Sequence, residues 1–182
     1  MKNQGVTKKL LHTRTVHCHG YERSDGCWDI EAHMTDVKSF AMNNPDRGGQ
    51  IPAGEPLHDI SLAVTIDRTL QIKAVKASID LAPFNQCGAI TQQFQQLVGL
   101  RIFPGFSRQV KEMLSGTQGC THLLELLSPI ATTTYQTLWQ SKNGYDGDDP
   151  AVHQFLLNSC HALAADGEVV QNHWPEYAQS PK

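Results

Sequence analysis

Polar and apolar positions alternate strictly in WDIEAHMTD, where Trp28, Ile30, Ala32 and Met34 fall on one side and Asp29, Glu31, His33 and Thr35 on the other. That period of two predicts a half-buried strand. HDISLAVTID repeats the pattern through Ile60, Leu62, Val64 and Ile66, and QIKAVKASID follows after the turn DRTL, so the two form a predicted hairpin. Residues 40–57, rich in Asn, Pro, Gly and Asp, read as a loop. Three strands are therefore expected first.

After Pro83 the period lengthens. Ile90, Phe94, Leu97 and Val98 recur at helical spacing from a start near Cys87, a second helix fits Phe106 to Leu114, and a third runs from GCTH through LLELLSPIATTTYQTLW with Pro129 as a point of kinking. NGYDGDDP reads as a linker, AVHQFLLNSCHALA as a last helix with Val152, Phe155, Leu156 and Leu163 on one face, and DGEVVQNHWPEY as a short polar tail. Cys160 falls on the apolar face of that helix and is expected in the core. Strands followed by helices predict an α+β fold, an antiparallel sheet of about three or more strands with helices packed on one face.

Composition narrows the setting. With 15 Lys+Arg against 18 Asp+Glu the net charge is −3, so no basic field favours nucleic acid. No apolar run approaches the ~20 residues of a membrane span, and the amino-terminal MKNQGVTKK lacks a secretory pattern, which points to a cytoplasmic protein. Five cysteines, an odd number in that setting, argue for reduced thiols over a disulfide framework.

The chemistry-bearing residues begin with Cys120 and His122, two positions apart at a helix start. A helix amino terminus carries unpaired N–H groups and partial positive charge, which favours a thiolate. Asp29, Glu31 and His33 share a strand face, and HTRTVHCHG crowds His12, His17, Cys18 and His19; both tracts are metal candidates and both also fit a solvated surface. Arg14, Arg23 and Lys38 are candidate substrate-binding cations for a carboxylate, with Asp25 and Asp36 as the acidic residues that would otherwise pair with them.

The pieces GEPLHDISLAVTID, QCGAITQQFQQLVG and GCTHLLELL resemble the NifU and SufE type of iron–sulfur scaffold fold over residues 54–140. The resemblance implies that Asp59, Cys87, Cys120 and His122 surround zinc or, as a lesser expectation, an iron–sulfur cluster. The cysteine that family places ahead of the aspartate is absent here, and His58 is the donor at that end. The chain as a whole resembles a bacterial family, domain of unknown function 2889, through HTR at 12–14, YERSDGCWDIEAHMTDVK at 21–38, GEPLHD at 54–59 and GCTHLLELL. Residues 1–182 then read as a single domain, in which 1–53 form a strand and loop extension ahead of the scaffold-like core at 54–140.

Three separated pieces, His58-Asp59, Cys87 and Cys120-x-His122, supply a donor set that zinc accepts. Buried, inert cysteines fit the same spacing. Two function classes stay open. In the first, the protein is a metal-assisted or thiol enzyme on a small organic substrate, with His58, Asp59 or His122 handling protons and Arg14, Arg23 or Lys38 gripping a carboxylate. In the second, it is a zinc- or iron–sulfur-binding module that serves a protein client.

Overall fold

The computed structural model describes residues 5–146, 153 and 156–180. The chain divides into two compact units, 1–134 and 135–182.

The first unit is built on a four-stranded antiparallel sheet in the order β1-β2-β5-β6, formed by His12–Glu22, Trp28–Lys38, Pro56–Ile66 and Ile72–Leu81. Its alternation is the one expected from the sequence: Trp28, Ile30, Ala32 and Met34 of β2 and Ile60, Leu62, Val64 and Ile66 of β5 are all buried. Each of the buried Ile, Leu, Val and Met side chains contributes roughly 1.5–3 kcal/mol on leaving water. The opposite face carries Asp29, Glu31, His33, Asp59 and Ser61, so one face forms core and the other stays polar. The fold is α+β.

Two strand features differ from the expectation. The His/Cys tract forms the edge strand β1, which lacks a readable alternation because nearly every position on it is exposed. Within the expected loop, Met42–Asn44 (β3) and Gly49–Ile51 (β4) pair as a small hairpin around the 3-10 turn Pro45–Arg47. Asn44 accepts the Arg47 N–H and closes that turn.

The helical half begins with a tight 3-10 run, Cys87–Leu97, where an ordinary helix was expected. Phe94 and Leu97 are its buried positions, and Gln95 donates a 2.8 Å hydrogen bond to the Val75 carbonyl of β6, which holds the run along that edge. Helix α1, Phe106–Leu114, buries Phe106, Val110 and Leu114 at steps of four. Helix α2, Thr121–Leu138, follows almost at once. Gly119 permits that short connection, because a Cβ there would lie 1.9 Å from the Leu114 carbonyl oxygen. Pro129 lies inside α2.

In the second unit the indole of Trp174 packs edge-on to Trp139 and is tilted against His153. The tail, read as short and polar, holds helix α3, Glu168–His173, with Val170 buried. Val152 and Phe155 of the expected last helix, and residues 147–150 of the expected linker, lie outside the described residues. Cys160 is exposed and does not belong to the core. The physical reason is Asn158, which adopts a left-handed φ of 61° and turns the chain before Cys160. Its side chain then accepts the Ala165 N–H at 3.0 Å. Among the described residues no helix is long and apolar enough to cross a membrane.

Candidate metal centre

The buried stripe of β2 does not end at Met34. Asp36 occupies the next position of the same phase and is only 1% exposed. On β5 the stripe extends in the other direction to His58, which is also buried. Strand register aligns Arg14 with Asp36 and Asp36 with His58, so three neighbouring strands place a cation, a carboxylate and an imidazole in one row on the core-side face. A register shift between Asp36 and Val37 interrupts the ladder at this row. Such irregularities re-aim side chains where a sheet serves a site.

Asp36 is the hub. Arg14 donates to both of its oxygens at 2.8 Å, His12 Nε2 lies 2.9 Å from Oδ1, and His58 Nδ1 lies 3.0 Å from Oδ2. Burial by itself would raise the Asp36 pKa, but the hydrogen bonds and charge of Arg14, with help from His58 and His12, hold it at about 2. The carboxylate is thus ionised at any physiological pH. His58 shifts in the opposite sense from a charged surface histidine: burial, and then the proximity of His122, lower its pKa, with Asp36 opposing. A neutral imidazole is the form that ligates metals or accepts protons.

Helix α2 supplies the third member. The tight Leu114–Gly119 approach starts the helix at Thr121, and the Cys120 carbonyl accepts the Leu124 N–H at 2.9 Å. One residue into the helix, His122 lies against His58 with ring centroids 3.9 Å apart and the rings tilted by 37°, and its Nε2 lies 3.8 Å from Asp36 Oδ2. One turn later Glu125 accepts a hydrogen bond from Arg14, fastening α2 to β1 beside the row. Asp36, His58 and His122 each present a ligand atom within 4.8 Å of the other two, and among the described residues they are the one group of three or more His, Cys, Asp or Glu with that property.

These positions divide the residues expected from the sequence. His58 and His122 come together. Asp59, next along β5, points to the opposite face of the sheet and pairs there with His33 at 2.6 Å, so alternation itself removes it from the centre. Cys87 and Cys120 do not join the triad. Both instead line a cleft of about 410 Å³ together with Phe84, Ile90, Thr121 and His122. Arg14 stands in the row, yet its guanidinium is committed to Asp36 and Glu125. Arg23 pairs with Asp25 and Asp29 on the exposed surface, and the Lys38 ammonium sits 5.3 Å from the Phe40 ring centre. The residue that sequence reasoning did not place at the site is Asp36 itself, considered only as a partner for the cations. Its signal was present: a charged residue standing in phase with four apolar ones.

A family profile described as "Protein of unknown function (DUF2889)" matches residues 12–136. The chain belongs to the DUF2889 family. The matched segment contains the whole row, the triad and the cleft. Neither a curated protein nor a solved structure matches the chain.

Proposed function

We propose that this DUF2889 protein is a metal-assisted enzyme acting on a small organic substrate. Asp36, His58 and His122 would hold a zinc-type divalent ion through two imidazoles and a carboxylate. Zinc bonds of about 2.0–2.2 Å in tetrahedral array set neighbouring donors about 3.3 Å apart. The Asp36 Oδ2 separations of 3.0 Å to His58 and 3.8 Å to His122 bracket that spacing. Two nitrogens and one oxygen also form a donor set typical of metals that keep an open position for chemistry.

The observation that carries the reading is the double membership of His122, which belongs to the buried triad and also lines the cleft. A purely structural ion is closed on all sides, whereas a catalytic one faces a space that substrate can enter. An ion in such a position lowers the pKa of bound water to about 7 and polarises a carbonyl or phosphoryl oxygen. Arg14 keeps Asp36 ionised and oriented and is not available to grip substrate.

A second reading, a zinc or iron–sulfur transfer module of the scaffold type, draws its support from Cys87 and Cys120 sharing the cleft with His122. The two readings differ in whether sulfur or only nitrogen and oxygen holds the ion.

Cobalt substitution tests the open position. Protein loaded with one cobalt ion per chain is expected to show visible absorption that shifts on adding azide, a small anion able to occupy a vacant site. A spectrum unmoved by azide would mark a closed, structural ion and reject the enzyme reading.

A further inference from the structure

The cleft beside His122 has an unusual lining for an entry to a metal. Phe84 is 64% exposed, although a large apolar side chain gains by leaving water. It is not on a slack loop. The Pro83 carbonyl accepts a 2.9 Å hydrogen bond from Asn44, the Asn85 N–H donates at 3.0 Å to Asp46, and the Phe84 carbonyl receives the Cys87 N–H at 3.1 Å. Pro83, Phe84 and Asn85 are thereby pinned to the β3–β4 turn and to the start of the 3-10 run, with Phe84 lining the cleft. Ile90 and the polarisable sulfurs of Cys87 and Cys120 extend the same surface toward His122.

Charge is the second observation. The residues lining the cleft include no lysine, arginine, aspartate or glutamate. Arg14, the nearest cation of the centre, is already bound by Asp36 and Glu125. An anionic group entering here meets no side-chain cation, so beyond the partial positive charge at the start of α2 its compensation is the ion that His122 would share. A ligand suited to this surface therefore needs an oxygen donor at one end and a flat apolar body at the other, since sulfur and phenyl neighbours both favour an aromatic ring.

Resting on the metal-enzyme reading, we infer that the cleft is a subsite for small aromatic carboxylates, the carboxylate directed to the ion at His122 and the ring lying against Phe84 between Cys87 and Cys120. About 410 Å³ is ample for one substituted ring.

The test is calorimetric titration of the full chain, first with zinc and then with benzoate or acetate. Both acids offer the same carboxylate, so a preference measures the ring. Benzoate is expected to bind zinc-loaded protein about tenfold more tightly than acetate, equivalent to about 1.4 kcal/mol. Phe84→Ala, at an exposed position whose loss leaves the core intact, is expected to reduce that preference to about threefold or less while zinc binding stays unchanged. Equal affinities for the two acids, a preference that survives Phe84→Ala, or benzoate binding of the same strength without zinc would each overturn the inference. Failure of the metal reading shows separately and earlier: no heat and no stoichiometry in the zinc titration, which would overturn both.

Discussion

Asp36→Asn is expected to lower the free energy of unfolding by about 3 kcal/mol, the lower end of the cost of removing one partner from a buried ion pair. Asparagine keeps the size and shape of the side chain, so no cavity contributes. What is lost is the charge that Arg14, His12 and His58 all address on a side chain 1% exposed. Arg14 retains Glu125, which is why the low end of the range applies. Asp59→Asn supplies the internal comparison, because Asp59 follows His58 on β5 and so lies on the polar face, paired with a partly exposed histidine. That change is expected to cost about 0.5 kcal/mol or less, as exposed pairs do. Urea unfolding at constant slope reads both. Equal effects at the two positions would contradict the assignment of Asp36 to the hub.

His122→Ala is expected to reduce zinc affinity by more than about 100-fold, since losing a partner one shell farther out already costs roughly 10- to 100-fold. Stability should change little in the metal-free protein, because the His122 side chain is partly exposed and its distance to Asp36 is 3.8 Å. His58→Ala should match it in zinc affinity and exceed it in destabilisation, since His58 is buried and hydrogen-bonded to Asp36. Cys120→Ser, two residues before His122, should leave zinc affinity within about threefold if sulfur is outside the coordination set. A large loss at Cys120 with little at His58 would instead favour the scaffold reading.

How much of this was legible in the sequence depends on whether a contact is made by phase or by distance. Period-two alternation located β2 and β5, the turn DRTL placed β6 after them, and alternation sets His58 and Asp59 on opposite faces although the two were read together as one donor piece. It also marked Asp36, the fifth residue in the stripe that starts at Trp28, though a lone aspartate at a strand end reads as surface until its register partners are known. β1 carried no signal because an exposed edge strand buries neither face. The approach of His122 to His58 spans 64 positions of sequence and rests on a Gly119 turn whose necessity appears only when the Leu114 carbonyl is in place. The position of Cys160 followed from a single left-handed asparagine, which helical periodicity does not register.

X-ray absorption at the zinc edge addresses the centre most directly, because it distinguishes sulfur from nitrogen and oxygen by bond length. Protein loaded with one zinc per chain is expected to show a shell of nitrogen and oxygen at about 2.0–2.2 Å, with the outer scattering of imidazole and no sulfur at about 2.3 Å. A sulfur shell would move the ion to Cys87 and Cys120 and contradict an Asp36, His58 and His122 centre, as would protein that retains no zinc at all.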